Sequence, residues 1–78
     1  MPAPASDALA TLGDRIRTRR HQLGLSQEGL ADVVGLHWTF VGQVERGTRN
    51  LSLHNLLKLA AGLEIDPGKL VKGLQPPD

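Results

Sequence analysis

Apolar residues along the chain recur at helical spacing and nowhere alternate as they would in a half-buried strand. Leu9, Leu12, Ile16 and Leu23 fall on one stripe, which predicts a first helix from Asp7 to Leu23 stopped by Gly24. Ser26 then caps a short second helix with Gln27 and Glu28 in its first turn, an inward face of Leu30, Ala31 and Val34, and an end at Gly35. A third helix spans His37 to Arg46 and stops at Gly47. Ser52 caps a fourth, whose inward stripe is Leu53, Leu56, Leu59, Ala60 and Leu63. Asp66 followed by Pro67 is a cap plus a first-position proline, starting a short fifth helix through Leu70 and Val71. The pattern predicts an all-α, compact five-helix domain over 7–74, with a loose lead-in at 1–6 and a flexible tail at 75–78.

The second and third helices are joined by only a few residues around Gly35. Ala31 is small where a second helix must cross closely, and Gly35 can adopt the left-handed backbone of a tight turn. Leu36, Val41 and Val44 then return apolar groups to the crossing. Together with Gln27 and Leu30, these residues make the helix-turn-helix pattern.

On a wheel of about 100° per residue, Val41 and Val44 define the buried side of the third helix, with His37 and Glu45 at its borders. Thr39, Gln43 and Arg46 lie opposite, with Gly42 beside them on the outward side. Trp38 and Phe40, the sole Trp and Phe of the chain, fall on the two flanks as shoulders of a polar face. Such a face suits a helix in the DNA major groove. Thr39 can exchange a hydrogen bond with a base or touch a thymine methyl, and Gln43 can pair with adenine. Arg46 can reach a phosphate or a guanine. The plain alternative is a solvated helix face, and for Phe40 a core position.

Composition narrows the function classes. The 78 residues allow one small domain, and the absence of cysteine leaves no disulfide or thiolate site and fits a reducing, cytoplasmic setting. His21, His37 and His54 are too far apart for a local metal motif, no apolar run is long enough to span a membrane, and no cofactor is expected. No paired-carboxylate, Ser/His/Asp or phosphate-loop arrangement is present, which argues against an enzyme. The formal net charge is only +1, yet it is unevenly spread. Arginines precede Leu25, the only charges from Ser26 to Glu45 are acidic, and basic residues predominate from Arg46 onward. Local asymmetry of this kind bears on a nucleic-acid footprint more than the total does.

"LGLSQEGLADVVGL" followed by "FVGQVERG" resembles the Xre-type, lambda-repressor-like helix-turn-helix domains, and "TFVGQVERGTRNLSL" is similar to the controller proteins of restriction–modification systems. The resemblance covers roughly Leu12 to Leu70. It implies a homodimer on a (pseudo)palindromic duplex operator, with the third helix in the major groove; no small-molecule effector is evident, and the lack of a long apolar run argues against a membrane partner. Base-reading positions would be Trp38, Thr39 and Gln43. Backbone contacts would come from Gln27, His37, Phe40, Arg46, Arg49, Asn50 and Ser52, although Ser52 suits a plain capping role equally well. Trp38 departs from the subfamily, where Arg often stands, so a guanine-reading role does not carry over. An antitoxin-like or accessory module, anchored on a partner through Trp38, is the alternative reading.

The remaining expectations concern mostly structure. Arg20 sits near the inward stripe and needs an acid, and Glu45 is available; the family has an Arg–Glu pair in matching positions. Arg15, Arg17 and Arg19 are expected to be solvated, with Arg19, toward the other edge of the stripe, able to reach a flanking phosphate. Leu57, Ile65, Val71 and Leu74 remain for a two-fold dimer patch. Gly42 is expected to permit close approach to DNA, and Gly29 has no evident role.

Overall fold

A computed structural model describes residues 3–78, so positions 1 and 2 of the expected lead-in lie outside the described residues. Five helices follow in order: α1 (Asp7–Gln22), α2 (Gln27–Val34), α3 (Trp38–Glu45), α4 (Leu53–Gly62) and α5 (Pro67–Val71). No strand occurs among the described residues. Ser6, Ser26 and Ser52 cap α1, α2 and α4 by accepting the amides of Leu9 (3.1 Å), Gly29 (2.9 Å) and Asn55 (3.1 Å). Each such bond satisfies a donor that the helix geometry leaves unpaired. Asp66 occupies the cap position of α5 without a side-chain capping bond, so Pro67 alone marks that start. His37 is the cap of α3 and not its first helical residue.

The core comprises Leu12 and Ile16 of α1, Leu30 and Ala31 of α2, Val41 and Val44 of α3, Leu59, Ala60 and Leu63 at α4, and Leu70 of α5. Leu53, expected in the inward stripe of α4, is instead 66% exposed. It lies one turn from Leu57, so α4 has a second apolar edge facing solvent.

Close approaches fix how α3 is held. At Gly13 a Cβ would fall 2.4 Å from the Glu45 carbonyl oxygen and 2.5 Å from that of Val44, so α1 can seat against the end of α3 only without a side chain there. Gly35 closes α2 at φ 71°, and its amide and that of Leu36 both return to the Ala31 carbonyl. This left-handed step ends α2 and lets the chain enter α3 after three residues. Ala5, in the lead-in, donates its amide to the Gly47 carbonyl at 2.8 Å, tying the chain start to the end of α3.

Two arginines expected in solvent are structural clamps. Arg15 donates to the carbonyls of Leu70 (3.0 Å) and Lys72 (2.8 Å) at the end of α5. Arg19 donates to those of Leu63 (2.8 Å) and Glu64 (3.2 Å) at the end of α4. Cationic donors satisfy carbonyls that a helix end leaves unpaired and complement its dipole. Arg19 is therefore not free to reach a flanking phosphate. Arg17 is half-buried and pairs with Asp14.

Candidate nucleic-acid interface

The outward side of α3 is where the sequence places it. Val41 and Val44 are buried at 0% and 2% exposure, whereas Thr39 and Arg46 are exposed and Gln43 half-buried. Trp38, 52% exposed, stacks on the His37 ring with centroids 6.0 Å apart. Phe40 is half-buried and packs against the core. The two aromatics differ in environment as flanking positions should, one turned to solvent and one inward.

Internal bonds hold several of these side chains. Nδ1 of His37 accepts the Thr39 amide at 3.1 Å and also contacts the Thr39 hydroxyl. The Arg49 guanidinium lies 5.3 Å from the Phe40 ring centroid, within cation–π range, and donates to the Gln43 side-chain oxygen at 3.3 Å. Because a guanidinium only donates, the amide of Gln43 must turn its oxygen toward Arg49 and its NH₂ elsewhere. The loop is pinned by Thr48, whose amide and hydroxyl both bond the Gln43 carbonyl. Asn50 accepts the Leu51 amide, and Ser52 is engaged in its cap.

Beneath this surface lies a buried ion pair. Arg20, 7% exposed, donates from Nε and Nη2 to the two carboxylate oxygens of Glu45, 2% exposed, at 2.7 and 2.8 Å. Its Nη1 donates to the Leu25 carbonyl at 2.9 Å, so one side chain joins α1, the α1–α2 turn and α3. Bonding to Glu45 raises the Arg20 pKa above its ordinary value, reinforced by Coulomb attraction and opposed by burial. Gln27 adds a third member, donating to Glu45 Oε1 at 3.1 Å. Its amide is thus partly spent inward instead of standing free at the start of α2. Gly42, expected to face the groove, is buried: a Cβ there would come within 3.3 Å of Arg46 Nη1 and 3.5 Å of Gln27 Oε1. Gly29 acquires a role too, since a Cβ would press to 3.2 Å on the capping hydroxyl of Ser26.

Of the expected interface residues, His37, Trp38, Thr39, Arg46, Arg49, Asn50 and Ser52 are exposed, and Phe40 and Gln43 are half-buried. Gln27 of α2 is half-buried, its amide bonded inward to Glu45. Sequence reasoning missed the Gln27–Glu45 bond and the His37 cap. Histidine is not among the preferred cap residues, so the signal was weak. Of the expected dimer residues, Leu57 and Val71 are exposed, while Ile65 and Leu74 are half-buried against the core. No cluster of His, Asp or Glu able to hold a metal occurs among the described residues, and no described helix is long and apolar enough to cross a membrane.

Two short helices meeting at a left-handed glycine, the second with a polar face turned outward, define a helix-turn-helix protein. The chain belongs to the helix-turn-helix family whose profile matches residues 16–70. It is 42% identical over 65 residues to the control protein C.SmaI of Serratia marcescens, covering 83% of this chain and 77% of that one. The crystal structure of the restriction–modification controller protein C.AhdI from Aeromonas hydrophila superposes with a TM-score of 0.78 at 53% identity, over 80% of this chain and 94% of that one. The controller protein C.Esp1396I, solved as a tetramer with its natural 35 base-pair operator, superposes at 0.78 with 30% identity, over 88% and 91% of the two chains.

Proposed function

We propose that this protein is a sequence-specific, double-stranded-DNA-binding transcriptional regulator that binds a (pseudo)palindromic operator as a homodimer, with α3 in the major groove. The observation that carries this is the joint emergence of Thr39, Gln43 and Arg46 on the face of α3 opposite the buried Val41 and Val44. Thr39 and Gln43 meet base edges, with Trp38 beside them offering a broad apolar surface to thymine methyls or sugars. His37, Phe40, Arg46, Arg49, Asn50 and Ser52 line the adjoining backbone, and Gln27 approaches it from α2. The structure of a relative on its operator supports this mode of action.

One recognition helix reads few base pairs, and pairing two across a two-fold axis, about 34 Å apart, multiplies the specificity. The exposed Leu53, Leu57 and Val71, with Ile65 and Leu74 behind, supply a self-complementary apolar face along α4 and α5. Control then follows protein concentration through dimerisation, with no effector, no cofactor and no catalytic step, in the cytoplasm.

Selection of bound sequences from a random duplex pool tests the proposal. A palindromic consensus and an affinity that falls steeply with salt are expected. No preference among duplexes refutes it. The exposed Trp38 favours one competing arrangement, an anchor in a partner protein. Trp38→Ala that abolishes a protein complex while leaving DNA affinity intact would decide for that alternative.

A further inference from the structure

His37 holds two donors of Thr39 on one nitrogen. The backbone amide of Thr39 can only donate, so the Nδ1 that accepts it carries no proton and the ring proton resides on Nε2. The Thr39 hydroxyl touches the same bare nitrogen, and its proton must therefore point inward to His37. What Oγ1 has left for the outside is lone pairs. The ring that imposes this is itself oriented by stacking on Trp38, with 26° between the planes.

We propose that His37 is a positioning residue that sets the hydrogen-bond polarity of Thr39, making it an acceptor-only reader of the major groove. An unconstrained threonine hydroxyl both donates and accepts, and so discriminates poorly between amino and keto groups. Constrained by His37, Thr39 selects a base that presents an amino group, the N6 of adenine or the N4 of cytosine, and rejects the keto oxygens of thymine and guanine. The capping bond that starts α3 is the same device that fixes the reading. The inference rests on the proposed placement of α3 in the major groove.

The test uses the full-length protein and the consensus duplex from pool selection. The base pair read by Thr39 is found as the one whose preference disappears in Thr39→Val. Every Watson–Crick pair carries one amino and one keto group in the major groove, so the contact at that pair is read by deleting single groups. Losing the amino group, with purine in place of adenine or 2-pyrimidinone in place of cytosine, is expected to weaken wild-type binding roughly fivefold, the worth of one neutral hydrogen bond, whereas losing the keto oxygen of the partner base changes nothing. In His37→Ala the amino-deletion effect vanishes while other positions keep their preferences, and His37→Asn, which restores a neutral capping acceptor, recovers it. A purely structural role would instead weaken all operators alike. The proposal is overturned by an amino deletion that leaves wild-type affinity unchanged, by a keto deletion that weakens it, by an amino-deletion effect that survives in His37→Ala, or by Thr39→Val altering no position. The wild-type measurements on modified duplexes decide even if His37→Ala does not fold. Absence of any base preference anywhere would instead refute the regulator reading itself.

Discussion

Replacing Arg20 with alanine removes three hydrogen bonds at once, two to Glu45 and one to the Leu25 carbonyl. The Glu45 carboxylate, 2% exposed, is then left with the single neutral donor of Gln27 at 3.1 Å. A buried charge stripped of its partner costs about 3–5 kcal/mol, because its desolvation is no longer offset. At about 0.05–0.15 kcal/mol per residue, a domain of this size has roughly 4–12 kcal/mol of stability in all. A loss of about 3 kcal/mol should lower the melting temperature by about 12–24 °C. Thermal and urea denaturation followed by circular dichroism measure this directly. Arg20→Met combined with Glu45→Leu removes both charges and is expected to recover most of the loss, since an apolar pair of similar volume has nothing to desolvate. A melting temperature for Arg20→Ala within about 2 °C of the wild type would refute the argument, because a change that small corresponds to less than about 0.5 kcal/mol.

Other substitutions probe separate parts of the fold. Gly13→Ala drives a methyl into the Glu45 and Val44 carbonyls, and backbone cannot yield as a side chain can. It should cost about 3 kcal/mol, seen as a reduced denaturation midpoint, and an unchanged midpoint would contradict the close crossing of α1 and α3. Glu64 sits at φ 53°, in the left-handed region that glycine occupies without strain. Glu64→Gly is expected to leave the Arg19 bond to that carbonyl intact and stabilise the protein by up to about 1 kcal/mol; a net destabilisation counts against the strain. Leu53→Asp with Leu57→Asp places charge on the exposed edge of α4, away from the core. Sedimentation should show dissociation into folded monomers, and a persistent dimer would move the interface elsewhere.

The elements were legible because each carries its own punctuation. Ser26, Gly35, Ser52 and Pro67 mark helix ends by local chemistry, and the apolar spacing assigns Leu12, Ile16, Val41 and Val44 to one interior. The wheel for α3 separates its faces for the same reason, since helix geometry alone fixes which residues share a side. It erred where two helices compete for a face. Leu53 has the spacing of a core residue, but at the first position of α4 its side chain meets water. Gly42 falls on the outward half of the isolated helix, yet Gln27 from α2 and Arg46 fold over it. Arg15 and Arg19 read as surface charges because the carbonyls they clamp lie 44 to 57 residues away in sequence.

By itself the sequence determined the five helices, the turn between α2 and α3, the outward trio Thr39, Gln43 and Arg46, and the Arg20–Glu45 partnership. All but the last follow from periodicity and capping, which act over a few residues; the pairing came with the resemblance and the need of a buried guanidinium for an acid. Only the tertiary structure decided that Gln27 completes the buried pair, that Gly13 is the contact point of α1 with α3, and that Arg49 and His37 engage the side chains of Gln43 and Thr39. These depend on which groups meet after the helices pack. A polar side chain has several partners of similar energy, and packing geometry selects among them.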